Sequence, residues 1–357
     1  MERLARIRGC LLAGGCGDAL GYPVEFDSGE AIRAHFGERG VREMVLSRTG
    51  TAQITDDTQM TLFTAEGLLM SLRHQRDVAA CIYQSYLNWM QTQGWKNMKG
   101  IYHKESMLLP VAALHARRAP GNTCLSALLS GNMGTMDEPI NHSKGCGGVV
   151  RTAPCGMLNL LPDKGEDAWA LQGAMVAAIT HSHRMGYVPA AMLADMIHMI
   201  LQEDGRALEE IVLDSLDHMS RLFTHPVEDA DGCEDRDGAS DGSFAQMLDF
   251  RSLMRKAVSL AKTDTPAEAA IGQLGEGWVA DEALAIAVYC CLKYEDDMEA
   301  CLSAAVTHKG DSDSTGAIAG NILGAWLGED AIPARWLEVL ENREIIEKMA
   351  CAIGAAG

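Results

Sequence analysis

The stretch GCLLAGGCGDALG at residues 9–21 decides the fold, because glycine or alanine recurs in it at every fourth position. In a helix, Gly9, Ala13, Gly17 and Gly21 share one face, which is therefore bare of bulk and can lie close against another helix. Each glycine costs a helix about 1 kcal/mol relative to alanine. Close packing of the bare face has to offset that cost.

A second stretch, GAIAGNILGAWLG at residues 316–328, repeats the spacing near the other end of the chain. We expect these two glycine-spaced helices at the centre of the molecule. The glycines at positions 15, 17 and 21 miss the G-x-G-x-x-G pattern by one residue, and no strand precedes them. A dinucleotide-binding β-α-β unit is thereby excluded.

The remaining sequence is typical of an all-α protein, with 5% aromatic residues and apolar residues mostly at helical spacing. Residues 41–46 are the one candidate for a short strand or hairpin. We predict a single domain over residues 1–357, folded as a compact orthogonal multi-helix bundle. Three helices are predicted as amphipathic from their apolar stripes: Leu62, Ala65, Leu69 and Leu72; Met192, Met196, Met199 and Ile200; and Leu284, Ala287, Val288 and Cys291.

Charge and cysteine content narrow the class of protein. Lys and Arg total 30 against 49 Asp and Glu, a net charge of -19, which disfavours nucleic-acid binding but allows a small phosphorylated ligand neutralised by metal ions and backbone amides. The 11 cysteines include no C-x-x-C spacing, and no apolar run is long enough for a signal peptide or a membrane span. We therefore expect a cytoplasmic protein that does not bind membranes.

The segment HPVEDADGCEDRDGASDG at residues 225–242 is acidic and poor in apolar residues. Its carboxylates do not fit the ligand spacing of an EF-hand loop in any register. We predict a mobile, solvated loop.

Two oxygen-rich clusters precede predicted helices. Thr55, Asp56 and Asp57 stand before the helical run 59–73, and residues 310–315, with the sequence GDSDST, stand before the helix at 316–328. Helix capping explains such residues singly, but it needs only one oxygen at each end. The four carboxylates and the hydroxyls are hard ligands that suit Mg²⁺ or Mn²⁺. If the two helix starts converge, a pair of divalent cations is expected between them.

Six segments together carry a resemblance to a known family, because they occur in its order and at roughly its separations. The sequence resembles the ADP-ribosylglycohydrolases, which include dinitrogenase reductase activating glycohydrolases and ADP-ribosylarginine hydrolases. The resemblance covers about residues 7 to 328. The segments are GCGDALGYPVEF (15–26), ITDDTQM (54–60), SKGCGGVVR (143–151), THSH (180–183), LGEGWVADEALAIAVYC (274–290) and HKGDSDSTGAIAGNILGA (308–325).

The resemblance implies a central site for two Mg²⁺, for which Mn²⁺ can substitute. Many relatives have Thr where this chain has Ser314, and either hydroxyl can bind a cation. Glu25 matches an acidic residue at the mouth of the site and, with Asp56 and Asp57, is a candidate catalytic residue. The implied metal ligands are Thr55, Asp56, Asp57, Asp311, Asp313 and Ser314.

The resemblance also implies a substrate-binding loop, whose backbone amides hold the diphosphate and ribose. Many relatives have Asn in place of Cys146. His181 matches a histidine near the distal ribose or phosphates, although a lone histidine after an apolar helix is more often structural. Trp278 matches a loop at the substrate mouth, with a core tryptophan as the alternative. The loop residues are Ser143, Lys144, Gly145, Cys146 and Gly147.

The activity implied is hydrolysis of the N-glycosidic bond between ADP-ribose and a protein side chain, which releases ADP-ribose and reverses the modification. The SKGCG and GDSDST forms look like the arginine-specific branch. Two alternatives remain open: a hydrolase of O-linked ADP-ribose, on serine or as the O-acetyl ester, and an immunity-type protein that binds and neutralises an ADP-ribosyltransferase.

Overall fold

A computed structural model describes residues 2–224 and 243–357 of the chain. Within these ranges the protein forms fifteen α-helices and no strand, which confirms the all-α prediction. The predicted acidic loop at 225–242 lies outside the described residues. The helices are α1 (Arg3–Gly21), α2 (Gly29–Phe36), α3 (Asp56–His74), α4 (Val78–Thr92), α5 (Asn122–Leu129), α6 (Ala168–Ala178), α7 (Arg184–Gln202), α8 (Leu208–Thr224), α9 (Ser243–Ala261), α10 (Ala267–Ile271), α11 (Ala280–Lys293), α12 (Met298–Val306), α13 (Ser312–Leu327), α14 (Ala334–Val339) and α15 (Arg343–Gly354).

The two glycine-spaced helices, α1 and α13, pack against each other in antiparallel directions through their bare faces. A methyl group added at Gly17 would lie 2.0 Å from the carbonyl oxygen of Gly316, and one added at Gly320 would lie 2.1 Å from that of Ala13. Toward the other end, a methyl group at Gly324 would lie 2.2 Å from the carbonyl oxygen of Gly9. No side chain fits between these backbones, so the predicted close packing is confirmed.

Polar contacts fix the register of this glycine seam between α1 and α13. The Asn321 amide donates a hydrogen bond to the Cys10 carbonyl over 2.9 Å. The Arg6 guanidinium donates to the carbonyls of Ala325 and Trp326, at 3.1 and 2.9 Å, where α13 leaves carbonyls without helical partners. Because the helices run antiparallel, the C-terminal end of α1 lies beside the N-terminal end of α13.

The chain leaves α1 through a short 3₁₀ turn, Tyr22–Val24, and reaches Glu25 beside the start of α13. Gly21 lies at this junction, and a methyl group on it would meet the Ser312 carbonyl oxygen at 2.3 Å. The glycine seam therefore determines where the acidic residues at both of these helix ends can lie.

The helices predicted from apolar stripes are present, but the amphipathic interpretation is wrong for α3 and α11. Residues 56–68 of α3 and 283–291 of α11 are buried without interruption, while Leu72 at the outer end of α3 is 44% exposed. Both helices are central and packed on all sides, so their apolar periodicity does not mark one face.

The predicted strand at residues 41–46 is also wrong. Leu46 and Ala52 form one isolated antiparallel bridge, and Ala52 forms a parallel bridge to Leu340. The Ser47 amide bonds the Thr51 carbonyl over 2.8 Å, which closes a tight turn immediately after the bridge. Within residues 41–46, only Leu46 takes part in this single bridge, so the segment forms no ladder.

No helix in the described part of the chain is both long and apolar enough to cross a membrane. The ten described cysteines are all free thiols, and nine of them are buried or partly buried.

We predict that Gly320→Ala destabilises the protein by about 3 kcal/mol, because the new methyl group collides with the Ala13 backbone rather than with a movable side chain. Gly15→Ala is the matched control: its methyl group would meet first the Ile346 side-chain end at 3.1 Å. Alanine there should leave stability within about 1 kcal/mol. Urea unfolding measures both, and equal losses for the two variants would contradict the glycine seam.

Candidate active site

A cavity of about 340 Å³ lies where the N-terminal ends of α3, α5 and α13 converge. Most of the residues predicted for the site surround it. The lining comprises Glu25, Asp56, Asp57, Ala119, Pro120, Gly121, Asn122, Thr123, Cys124, Gly145, Cys146, Gly147, His181, Trp278, Asp311, Asp313 and Ser314.

Three carboxylates in the lining of this cavity form a compact group. Glu25, Asp311 and Asp313 each place an oxygen within 4.8 Å of the others, and their exposed fractions are 8%, 3% and 3%. Glu25 Oε2 is buried and has no hydrogen-bond partner among the described groups. The resemblance matched Glu25 to an acidic residue at the mouth of the metal site, and in this chain Glu25 is one of the three carboxylates of the acidic group.

The acidic start of α3 meets this group directly. The Ser314 hydroxyl donates a hydrogen bond to Asp57 Oδ2 over 2.8 Å, which joins the first turn of α13 to that of α3. Asp56 accepts the Gly121 amide at 3.1 Å on one oxygen. The expected convergence of the two helix starts therefore occurs.

Burial and mutual repulsion make full ionisation of these carboxylates unfavourable. Burial, together with Asp18, Glu25 and Asp311, raises the pKa of Asp56 to about 8. The pKa of Glu25 rises to about 7 from burial and the charge of Asp311. Burial and neighbouring carboxylates hold the pKa values of Asp57 and Asp313 well above the ordinary value.

A bound divalent cation would offset both the burial and the mutual repulsion of these carboxylates, because it replaces their lost hydration and cancels their charge. The donor set fits a hard cation, since the acidic group offers carboxylate oxygens and the unpartnered Glu25 Oε2. The Cys146 thiol lies 2.6 Å from Asp311 Oδ2 and bonds to it as a donor. The acidic group could hold a metal ion.

Asp18 positions the start of α3 without lining the cavity. This fully buried carboxylate of α1 accepts the backbone amides of Thr55 and Thr58 at 3.0 and 3.1 Å, and also the Thr58 hydroxyl. It thereby satisfies donors at a helix N-terminus that would otherwise be buried without partners. Because Asp18 belongs to α1, the helix of the glycine seam also positions the start of α3.

Thr55 is the N-cap of α3, as the capping explanation requires. Its hydroxyl accepts the Asp57 amide over 3.2 Å, and the residue is fully buried and does not line the cavity. Its assignment as a metal ligand stays a prediction.

The predicted substrate loop lies on one wall, but only part of it faces the cavity. Gly145, Cys146 and Gly147 line the cavity, whereas Ser143 and Lys144 do not, and Lys144 is exposed. Two amides hold the loop itself: Gly145 donates to Ser143 Oγ at 3.3 Å, and Cys146 to the Trp278 carbonyl at 3.2 Å. These two amides therefore cannot also serve a ligand without rearrangement.

His181 is buried behind this loop, which lies against its ring because glycine leaves room: methyl groups on Gly145 or Gly147 would meet the ring at 3.4 and 3.3 Å. Burial, with a smaller contribution from Arg151, lowers the pKa of His181 to about 3. Since its folded-state pKa lies below the ordinary value, His181 is neutral at every pH above about 4.

A hydrogen-bond relay sets the tautomer of His181. Arg151 donates to the Thr180 hydroxyl over 2.7 Å, and that hydroxyl lies 2.9 Å from His181 Nδ1. The Thr180 proton can go to Nδ1 or to the nearby Cys124 sulfur, and a thiol sulfur is the weaker acceptor. Donation from Thr180 to Nδ1 is the stronger bond of the two, and it favours the tautomer with the proton of His181 on Nε2.

Trp278 is not a core tryptophan: it lines the cavity and is 40% exposed. Its ring stacks on that of Phe26, with centroids 5.8 Å apart and planes inclined by 19°. The Trp278 indole donates to Glu276 over 3.3 Å.

Sequence reasoning missed the segment 119–124 entirely, although every residue in it lines the cavity. It carries the Gly121 amide that binds Asp56, and Ala119 has a backbone φ of +47°, which is unusual for a residue other than glycine. The available signal was the dipeptide Pro120-Gly121 directly before an apolar helix.

Comparison with known proteins gives one consistent family. A family model described as ADP-ribosylglycohydrolase matches residues 1–356. An uncharacterized protein of Archaeoglobus fulgidus is 27% identical over 97% of this chain and 94% of its own. ADP-ribosyl-[dinitrogen reductase] glycohydrolase of Rhodospirillum rubrum is 25% identical over 99% of this chain and 97% of its own.

Human ADP-ribosylhydrolase ARH3 is 26% identical over 58% of this chain and 57% of its own length. A solved structure titled ADP-ribosylglycohydrolase-related protein complex covers 99% of both chains with a TM-score of 0.65 and 24% identity, which supports the fold.

We predict that His181 stays neutral, with its proton on Nε2, from pH 5 to 8. In Thr180→Val, Nδ1 loses its donor and the two tautomers should mix, whereas Thr180→Ser keeps the hydroxyl and should resemble wild type. Nitrogen-15 spectra of histidine-labelled protein measure this. A ring that titrates near pH 6.5, or identical Val and Ser spectra, would contradict the relay.

Proposed function

Because the chain belongs to the ADP-ribosylglycohydrolase family, we propose that it is a magnesium-dependent hydrolase that releases ADP-ribose from an ADP-ribosylated arginine of a protein. The observation that carries the proposal is the convergence of α3 and α13, which brings Asp57 and Ser314 into contact beside a buried group of three carboxylates. We further propose that residues 1–357 form one catalytic domain.

The residues proposed to hold two Mg²⁺ come from both helix starts, and Glu25 joins them because its oxygen lies within the acidic group. When bound, the cations supply positive charge that polarises the sugar hydroxyls and lowers the pKa of water. The proposed ligands are Thr55, Asp56, Asp57, Asp311, Asp313 and Ser314, with Glu25.

The carboxylates of α3 are proposed to hold and deprotonate the attacking water. One oxygen of Asp56 is fixed by the Gly121 amide and one of Asp57 by the Ser314 hydroxyl, so each has a second oxygen for that water. Either aspartate is proposed to act as the base, and Glu25, which lies in the adjacent acidic group, is proposed to exchange a proton with it. The base takes one proton from the water, the water oxygen attacks the anomeric carbon, and the C–N bond breaks as the guanidinium leaves with the bonding electron pair. The neutral guanidine so formed takes up the proton from the base and becomes the arginine cation again.

The remaining cavity wall is proposed to bind the ADP-ribose moiety. His181 offers an Nε2 donor to a phosphate or ribose oxygen, and glycine at positions 145 and 147 lets the substrate approach the backbone. Trp278 stacks on Phe26, the residue after Glu25, and so borders the part of the cavity near Glu25.

Arginine linkage is proposed on two grounds. The SKGCG and GDSDST motifs look like the arginine-specific branch, and an acidic site in a chain of net charge -19 tolerates a cationic guanidinium. The named relatives are nearly equal in identity to this chain and do not decide between linkages. Hydrolysis of O-linked ADP-ribose remains the second candidate.

Removing divalent metal should abolish hydrolysis, and adding back Mg²⁺ or Mn²⁺ should restore it, because the site collects carboxylates that repel one another without a cation. Release of ADP-ribose from ADP-ribosyl-arginine measures the loss and the recovery. Full activity in excess chelator, with metal content checked by elemental analysis, would refute the metal-dependent mechanism.

Asp57→Ala and Asp313→Ala should each lower turnover by about a hundredfold or more, since even outer-shell partners of a metal cost up to that amount. The metal-free variants should melt no lower than metal-free wild type, because each loses one of several mutually repelling carboxylates. Asp264→Ala, at an exposed position outside the cavity, is the matched control and should keep full activity.

The same assay tests the linkage when arginine- and serine-linked substrates are supplied separately to the wild-type protein. We expect faster release from arginine, and faster release from serine would overturn the branch assignment. If neither is cleaved but an ADP-ribosyltransferase is bound and silenced, the protein is a binding protein.

A further inference from the structure

Phe26 and Trp278 form an exposed aromatic pair at the rim of the cavity. Phe26 is 80% exposed, yet its ring stacks on Trp278, which lines the cavity and is itself 40% exposed. Phe26 is among the most exposed large apolar side chains in the described part of the chain. A ring left so exposed adds little to the stability of the fold, because most of its surface stays in water.

The pair lies at the carboxylate end of the cavity. Phe26 directly follows Glu25, whose carboxylate is part of the buried acidic group. The loop that carries Trp278 also contacts the start of α13, because the Glu276 carbonyl accepts the Asp311 amide at 2.8 Å. The aromatic pair therefore lies next to the acidic group, where the modified side chain is proposed to bind.

The charges around the pair favour a cation. Asp27 is exposed next to Phe26, and the Trp278 indole is bonded to the Glu276 carboxylate, which Lys309 pairs at 2.7 Å. Even with two magnesium ions bound, the five carboxylates of the cavity (Glu25, Asp56, Asp57, Asp311 and Asp313) outweigh the four positive charges. The cavity beside the pair therefore keeps a net negative charge, and Asp27 adds an exposed one.

We propose that the Phe26–Trp278 pair is the subsite for the guanidinium of the modified arginine, which stacks on the aromatic faces as it enters and leaves. This inference rests on the proposed function and adds a source of linkage specificity to it. A guanidinium is planar and cationic, so it gains from both the ring faces and the surrounding carboxylates. A serine side chain is small and uncharged and gains from neither.

The test compares Phe26→Leu, which removes the ring but keeps an apolar side chain, with Phe26→Tyr, which keeps the ring. Phe26→Leu should raise KM for ADP-ribosyl-arginine about two- to fivefold, in the range of an exposed cation–π contact. It should leave both the inhibition constant of ADP-ribose and the serine-linked rate unchanged, and Phe26→Tyr should resemble wild type. Phe244→Leu, at another exposed phenylalanine that lies away from the cavity, is the matched control.

Three results would overturn the subsite. An equal rise in the inhibition constant of ADP-ribose would assign the pair to the ADP-ribose moiety. An equal effect on both linkages would remove the specificity role, and no effect at all would leave the pair without a role in binding.

Failure of the proposed function gives a different pattern, because wild type itself would then not cleave ADP-ribosyl-arginine. Calorimetric binding of the intact compound replaces kinetics in that case. Tighter binding of ADP-ribosyl-arginine than of ADP-ribose, lost in Phe26→Leu alone, would support the subsite without the hydrolase, and equal binding of the two would overturn it.

Discussion

Backbone-to-backbone contact between α1 and α13 is the constraint on which the site depends. Their glycines approach so closely that a single methyl group would fall about 2.0 Å from an opposing carbonyl oxygen. The antiparallel direction places the end of α1 beside the start of α13, so Glu25 reaches Asp311 and Asp313. Asp18 on α1 then binds the first turn of α3. One seam thus positions three of the elements that form the cavity.

The site concentrates charge that the fold alone does not stabilise. Five carboxylates line one cavity. Burial and mutual repulsion raise the pKa values of Glu25, Asp56, Asp57 and Asp313, that of Asp56 to about 8. Such a site lowers the stability of the metal-free protein, and a bound cation would offset that cost. The rigid glycine seam and the buried Asp18 keep these residues from spreading apart. The contacts that order the site therefore also hold its carboxylates close enough to repel one another.

The sequence predicted the helical class, the two glycine-spaced helices and the acidic helix starts, because spacing and composition report on these directly. It could not predict that Glu25 lies inside the acidic group, since that follows from the direction in which α1 crosses α13. Nor did it reveal the segment 119–124 or the relay from Arg151 through Thr180 to His181. Arg151, Thr180 and His181 lie in two of the six family segments, but a segment does not show which side chains bond to one another, and only tertiary packing brings these residues together. The apolar periodicity of α3 led to a wrong prediction of an amphipathic helix, because a helix buried on all sides has no polar face.

The central claim is that the two helix starts form one metal centre, and anomalous diffraction from crystals soaked in Mn²⁺ tests it most directly. The account predicts anomalous peaks between α3 and α13, within coordination distance of Asp57, Asp311 and Asp313. It further predicts that these peaks disappear in Asp313→Ala crystals. Active wild-type crystals with no peak at these carboxylates, or with Mn²⁺ bound only elsewhere, would contradict it.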